Sequence, residues 1–103
     1  MAYCLIVENP ELTEDRAKQV FANIRNSGPV PPEGARLMLA GSAALGTRVI
    51  SVWDSPEACQ RFFAERLSSA YEEADLSMEP IRRTLFEIHT LVAGDLTGTP
   101  QPA

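Results

Sequence analysis

The alternation between strand-like and helix-like periodicity constrains the fold of this chain more than any other feature. An apolar run over residues 3–8 is typical of a strand buried on both faces. The apolar spacing then changes to the i, i+3, i+4, i+7 pattern of a helix that Thr13 caps and that ends at Ser27. A loop over 28–34 follows, and its three prolines keep it extended. The first third of the chain therefore predicts a strand, a helix and a loop.

A hairpin is predicted next. Residues 35–40 and 47–53 are rich in apolar and β-branched side chains, which is typical of strands. Between them, residues 41–46 begin and end with glycine and contain small residues, as a turn does. The two strands are adjacent in sequence and joined by a short turn, so we expect them to pair antiparallel.

The last third of the chain predicts a second helix and a fourth strand. Ser55 followed by Pro56 is typical of a helix start. A serine side chain can cap the N-terminus of a helix, and proline fits the first helical position because the N–H it lacks would have no hydrogen-bond partner there. Ser69 and Glu72 have the spacing of a capping box, which predicts an interruption before a last turn or two of helix. The run over 83–92 predicts the closing strand.

The resulting order is β-α-β-β-α-β. With right-handed crossovers it gives an α+β, ferredoxin-like fold, in which a four-stranded antiparallel sheet carries both helices on one face. All four predicted strands are apolar on both sides, although two helices cover only one face of the sheet. We therefore expect a homodimer in which a second copy covers the other face. The domain is predicted to span 1–93, and the polar, Pro/Gly-rich residues 94–103 are predicted to form a flexible tail.

Composition limits the classes of partner. The net charge of this 103-residue chain is −5, whereas a nucleic-acid backbone or an anionic membrane surface requires a field of Lys and Arg. No apolar run approaches ~20 residues, and the first ten residues do not match a signal peptide. We therefore expect a cytoplasmic protein with reduced thiols at Cys4 and Cys59. A single histidine and two distant cysteines do not have the spacing of a metal site.

The sequence also resembles a known superfamily. The element order, the stretch VISVWDSPEACQRFFAERL (49–67) and the run IHTLV (88–92) are similar to the dimeric α+β barrels, and within them to the antibiotic biosynthesis monooxygenase-like proteins. The resemblance covers roughly residues 2–93. It implies a barrel made by the sheets of two chains, with a small-molecule pocket between each sheet and its helices.

Site residues follow in part from this resemblance. It implies that Trp53 lies where strand meets helix and that Phe62 and Phe63 line or fill the pocket. Many relatives carry histidine at the position of Phe62, and some near Met38. Both residues are apolar here, which argues against carrying over either a haem-ligating or an oxygenase role from those relatives.

The residues with acid-base capacity are few. His89 is the only histidine, and on a regular strand it would share a face with Glu87, which makes it a candidate general base. Tyr71 is a candidate hydrogen-bond donor to a developing enolate or phenolate. Each also has a structural interpretation: His89 as a packed residue at an interface, and Tyr71 as a core residue at helical spacing.

Binding residues are predicted around them. Trp53, Phe62, Phe63 and Met38 are candidate apolar walls, although a tryptophan that only fills the barrel is the favoured interpretation of Trp53. Arg36 and Arg48 fall on neighbouring predicted strands. They are either a clamp for a carboxylate or solvated charges of the hairpin.

Two classes of function remain open. The first is a cofactor-independent enzyme acting on an aromatic or polyketide-like small molecule, by proton transfer with cyclisation or isomerisation, or by oxygenation of a phenol that supplies its own electrons. The acid-base pair favours proton transfer. The second is a non-catalytic homodimer that binds a small ligand or a partner protein. An enzyme requires that His89 and Tyr71 face one enclosed pocket, and a binding module does not.

Overall fold

The computed structural model contains strands and helices in the order that the periodicity predicts. The structure describes residues 1–44, 46–92 and 94. The elements in these residues are β1 (Tyr3–Asn9), α1 (Glu14–Ser27), β2 (Ala35–Ala43), β3 (Gly46–Trp53), α2 (Pro56–Arg61), a π-helical turn (Phe62–Leu67), α3 (Ser68–Glu73) and β4 (Arg82–Glu87). The predicted flexible tail lies, from residue 95 onward, outside the described residues.

The four strands form one antiparallel sheet in the order β2-β3-β1-β4. Directly opposed residues of antiparallel strands point to the same face. Leu5 therefore shares a face with its partners Ser51 and Leu85, and Cys4 shares the other face with Val52 and Phe86. The predicted ferredoxin-like α+β class is confirmed.

The helices pack on the face that carries Leu5, which we call the helix face. Trp53 (0% exposed) and Ile24 are the largest fully buried side chains. Both predicted N-caps are present: the hydroxyl of Thr13 accepts a hydrogen bond from the Arg16 N–H, and that of Ser55 accepts one from the Ala58 N–H. Each satisfies a backbone donor that the first helical turn leaves free.

The opposite face, which we call the open face, has no element over it within the described residues. Its apolar side chains come from all four strands, and Leu39 and Phe86 are 47% and 46% exposed. A charged row crosses one end, where Glu8 lies opposite Arg48 on one side and Arg82 on the other. The open face is therefore apolar at its centre and carries both signs of charge at one end.

The predicted break at Ser69 is wrong. The helix continues from Pro56 to Glu73 through a π-helical turn, in which the Ser68 N–H donates to the carbonyl of Phe63, five residues back. No side chain caps the start of α3. The capping-box spacing is overridden because the backbone donors at this point bond to the preceding turn.

Two strand boundaries also differ from the prediction. β2 extends to Ala43 and β3 starts at Gly46, so the turn is shorter than the predicted 41–46. β4 ends at Glu87 instead of continuing to residue 92. Its last contact with β1 is the hydrogen bond from the Ile88 N–H to the Ala2 carbonyl, 2.8 Å. Because β1 begins at Tyr3, residues beyond 88 have no part of β1 to pair with.

None of the helices in the described residues is both long enough and apolar enough to span a membrane.

Candidate functional site

A small apolar cavity lies between the helix face of the sheet and the helices. Its volume is about 40 Å³. One water needs roughly 10–15 Å³ on this measure and benzene occupies a cavity of about 150 Å³, so an aromatic ring enters only if side chains move. Apolar residues make up most of the wall: Leu5, Val7, Leu12, Ala17, Val20, Phe21, Ile24, Met38, Val49, Phe62 and Leu67.

Three hydroxyl groups supply the polar part of this wall, from Thr47, Ser51 and Tyr71. The Thr47 hydroxyl donates to the Leu12 carbonyl at 2.8 Å, and the Ser51 hydroxyl accepts from the Trp53 indole N–H at 2.8 Å. The Tyr71 hydroxyl accepts from the Asn9 amide nitrogen at 3.1 Å. A cavity with a few fixed polar groups in an apolar wall is the usual form of a small-molecule site.

Tyr71 is the one side chain with a titratable proton in the described wall of the cavity. Burial raises the pKa of its hydroxyl above the usual 10.0, and the hydrogen bond from Asn9 opposes this rise. The phenol therefore stays protonated at neutral pH. It can donate a hydrogen bond to a ligand, but it does not act as a base there.

Phe62 separates the cavity from a second pocket. The ring lines the cavity on one side and, on the other, a pocket of about 180 Å³ that also includes Pro32 and Arg66. Phe62 begins the π-helical turn, and such turns occur often at functional sites. Arg66, in the same turn, donates to the carbonyls of Ile24 and Pro29, both at 2.7 Å.

The structure brings three of the predicted site residues to this cavity, namely Tyr71, Phe62 and Met38. Trp53 does not line it. Its ring is fully buried, its centroid lies 5.3 Å from that of Phe62, and its N–H is bonded to Ser51. The interpretation of Trp53 as a packed core residue therefore fits, and a stacking contact with a ligand in this cavity does not.

Phe63 also lies outside the cavity. It is half-buried against the edge of the core, and the Arg83 guanidinium, on β4, lies 4.2 Å from its ring centroid. The two residues border a groove with Gln60, Ser68 and Met78. Consecutive side chains of a helix point in different directions, and Phe62 and Phe63 accordingly line different spaces.

His89 and Glu87 are not near Tyr71. His89 follows the end of β4, is exposed, and bonds through Nδ1 to the Thr90 hydroxyl at 2.7 Å. It lies beside Ala2, at the start of β1, whereas Tyr71 bonds to Asn9 at the end of β1. That strand spans about 20 Å. His89 and Tyr71 therefore do not face one pocket within a single chain, which is the arrangement that the proton-transfer enzyme requires and a binding module does not.

Arg36 and Arg48 do not form a clamp either. Arg36 pairs with Asp54, and Arg48 pairs with Glu8 at 3.3 Å. These partners lie at opposite ends of β3, roughly 20 Å apart. The side chains of these four residues are between 49% and 64% exposed, as expected of solvated charges on the hairpin. A role in substrate binding stays a prediction for both arginines.

The buried cysteines have the character of packed thiols. Burial raises the pKa of Cys4 and of Cys59, and for Cys59 the Arg83 charge opposes this rise. Protonated thiols are poor nucleophiles and poor metal ligands. Within the described residues no three side chains of His, Cys, Asp or Glu are grouped closely enough to hold a metal ion.

Asn9, Thr47 and Ser51 are the site residues that the sequence did not predict. Asn9 and Thr47 join distant parts of the chain, to Tyr71 and Leu12, and Ser51 bonds to Trp53 two residues on; apolar periodicity reveals none of these bonds. One signal was available for Asn9: a polar residue that ends an apolar strand on its buried face is expected to have a specific partner. That partner is Tyr71.

Comparison with solved structures identifies the fold. Rv0793 from Mycobacterium tuberculosis superposes with a TM-score of 0.64 at 13% identity, covering 90% of this chain and 100% of its own. SnoaB, a cofactor-independent oxygenase from Streptomyces nogalater, gives 0.61 at 14% identity, with 90% and 97% covered. The monooxygenase ActVA-Orf6 of Streptomyces coelicolor, in complex with the ligand nanaomycin D, gives 0.51 at 18% identity, with 91% and 92% covered.

These likenesses confirm the predicted resemblance at the level of fold. The chain has the fold of solved structures named as antibiotic biosynthesis monooxygenases, and it spans nearly the whole length of the three structures above. No protein-family model matches the sequence, and no curated protein matches it either.

Proposed function

We propose that this protein binds a neutral, electron-rich aromatic molecule in the cavity between sheet and helices and oxygenates it without a resident cofactor. The observation that carries the proposal is the Tyr71 hydroxyl, a protonated donor in a wall that is apolar apart from Thr47 and Ser51. The described wall contains no charged side chain, which favours a neutral ligand because an unpaired charge is costly to bury. The names of SnoaB and ActVA-Orf6 support oxygenation as the kind of chemistry.

The reaction needs little from the protein besides this environment. A phenol and one O₂ give a quinone and one water: one oxygen atom enters the ring, and the other leaves as water with two hydrogens from the substrate. All electrons that reduce O₂ come from the substrate. The hydrogen bond from Tyr71 stabilises the negative charge that grows on the substrate oxygen, and the apolar walls strengthen this bond.

Oxygenation fits the cavity better than base-catalysed cyclisation or isomerisation. Those reactions require a base within hydrogen-bond reach of the carbon acid, and His89 lies about 20 Å from Tyr71 along the sheet. An acidic phenol loses its proton more readily than a carbon acid and depends less on a positioned base. The same lack of a nearby base also supports the second candidate, a protein that binds an aromatic ligand and does not transform it.

Entry of a ring-sized ligand requires Phe62 to move. The cavity of about 40 Å³ and the pocket of about 180 Å³ share this ring as a wall. We propose that the ring turns as the ligand enters, so that the ligand extends from Tyr71 toward the pocket beside Arg66.

We further infer that the protein is a homodimer formed through the open face. The exposed apolar side chains of this face, led by Leu39 and Phe86, would be removed from water. The row of Arg48, Glu8 and Arg82 contains both signs of charge and is therefore compatible with a second copy related by a two-fold axis.

Oxygen uptake with 1-naphthol and 1,3-dihydroxynaphthalene tests the proposal. We expect one O₂ consumed for each quinone formed, and one atom of ¹⁸O₂ in the product. EDTA should not change the rate, and Tyr71→Phe should lower it. Removing one donor to the oxyanion site costs up to ~10²–10³ in turnover.

Two results would contradict it. If these phenols bind in the cavity but neither is oxidised, the protein is a binding module, and the enzyme proposal is wrong. If they are oxidised equally by the wild type and by Tyr71→Phe, the reaction does not take place beside Tyr71. Ser69 is exposed, so the variant Ser69→Ala serves as a matched control for the loss of one hydroxyl group.

A further inference from the structure

We infer that Asn9 is a positioning residue that directs the hydroxyl hydrogen of Tyr71 into the cavity, and that it thereby makes the site selective for ligands with a carbonyl or phenolic oxygen. This inference rests on the proposed function, because it concerns the same cavity. It adds a residue outside the cavity wall that determines which hydrogen-bonding group of a ligand is accepted there.

The first step is the orientation of the Asn9 amide. Asn9 is 4% exposed and ends β1 on the helix face. The backbone N–H of Glu11 donates to Asn9 Oδ1 at 3.1 Å. A backbone N–H is always a donor, so the atom it contacts must be the amide oxygen. The assignment of oxygen and nitrogen in this side chain therefore follows from the backbone.

The second step is the direction of the bond to Tyr71. With Oδ1 engaged by Glu11, the amide nitrogen Nδ2 is the atom 3.1 Å from the Tyr71 hydroxyl oxygen. An amide nitrogen donates and does not accept. The Tyr71 oxygen is therefore the acceptor, and its own hydrogen points elsewhere.

The third step is where that hydrogen points. No described residue accepts a hydrogen bond from the Tyr71 hydroxyl, and this residue is 3% exposed and lines the cavity. A buried hydroxyl hydrogen without a partner is costly. A ligand oxygen in the cavity would satisfy it, whereas a hydrocarbon of the same shape would not. Selectivity for an acceptor oxygen is thus fixed by Asn9 through Tyr71.

The experiment compares two probes of similar shape, acetophenone and isopropylbenzene, in the wild type and two variants. Asn9→Asp keeps the contact with Glu11 but presents a carboxylate oxygen to Tyr71, so the hydroxyl hydrogen turns toward residue 9. Tyr71→Phe removes the hydrogen altogether. By calorimetry we expect both variants to lose about two- to twelvefold in affinity for acetophenone, the range expected of one hydrogen bond. Affinity for isopropylbenzene should change far less.

A ligand-free measurement covers the case in which Asn9→Asp does not fold. In ¹³C-tyrosine-labelled protein, the Cζ shift of Tyr71 reports the ionisation of its hydroxyl, with Tyr3 as internal reference. Asn9→Leu removes a donor that stabilises the phenolate, so the Tyr71 pKa should rise. A fall in that pKa would show that Tyr71 donates to Asn9 and would overturn the inference.

The outcomes separate this inference from the proposed function. If neither probe binds the wild type, the cavity is not a ligand site, and the proposed function fails together with the selectivity. If both probes bind and Asn9→Asp retains the preference for acetophenone, the proposed site stands and the role of Asn9 is wrong.

Discussion

Replacing Phe62 with alanine tests whether this ring both packs the core and divides the cavity from the outer pocket. The ring is 6% exposed, its centroid lies 5.3 Å from that of Trp53, and the Arg66 guanidinium carbon lies 5.9 Å from it. Truncating a buried phenylalanine costs ~3–5 kcal/mol. We expect about 3–4 kcal/mol, because a ring with open space on two sides has fewer contacts to lose.

Urea denaturation followed by Trp53 fluorescence measures this loss. The midpoint should fall while the m-value stays constant, since the variant unfolds from the same compact state. For a domain of this size, 3 kcal/mol corresponds to a fall in Tm of about 12–24 °C. Benzene should restore part of the stability of Phe62→Ala, because a ligand that binds only the folded state stabilises it by mass action.

Phe63→Ala is the matched control. Phe63 is the next residue, half-buried, and its ring is covered on one side by Arg83. We expect its truncation to cost about 1–2 kcal/mol, and benzene should not restore that loss. Equal losses for the two variants, or no effect of benzene on Phe62→Ala, would refute the division of the two spaces by Phe62.

Three further predictions follow from the same contacts. Light scattering should give about twice the 11.3 kDa chain mass. Leu39→Glu or Phe86→Asp on the open face should give monomers that stay folded. As a control, Ser69→Glu at an exposed position of α3 should leave the dimer intact. Burial raises the pKa of Tyr71, Cys4 and Cys59 above 10.0, 9.0 and 9.0, so the stability that their protonated forms contribute is present at neutral pH and lost as pH rises beyond those values. Denaturation midpoints measured from pH 8 to 11 should therefore fall, and less steeply in Tyr71→Phe than in the wild type; an equal fall would show that Tyr71 is not the group responsible. Because His89 is exposed and remote from Tyr71, His89→Gln should change acetophenone affinity by no more than a factor of about two, and a larger loss would show that a histidine reaches the cavity, as a second copy would allow.

The order of the elements could be predicted because it depends on local chemistry. Thr13 and Ser55 cap their helices through bonds within three residues, and apolar periodicity locates the strands and the core stripe of α1. The ends of the strands were harder to predict. β4 stops at Glu87 because its partner there, Tyr3, is the first residue of β1, and no local pattern around residue 88 reports where another strand begins.

The site was predictable only in part, for the same reason. Tyr71 was predicted as a site residue from its hydrogen-bonding chemistry, and Phe62 and Met38 from the resemblance; all three border the cavity. Their polar neighbours depend on tertiary hydrogen bonds, such as that of Asn9 to Tyr71, 62 residues away. His89 and Glu87 are not close to Tyr71. They would be close only if β4 ended beside Asn9, at the end of β1. Antiparallel pairing instead places the end of β4 beside the start of β1.

A crystal structure with an aromatic ketone bound tests the central claim most directly. Acetophenone soaked at saturating concentration should occupy the cavity, with its ring against Leu5, Val20 and Leu67 and Phe62 turned toward the outer pocket. Its oxygen should lie ~2.5–3.0 Å from the Tyr71 hydroxyl oxygen. Density for the ketone in the groove beside Phe63 and Arg83, with the cavity closed around an unmoved Phe62, would contradict the account.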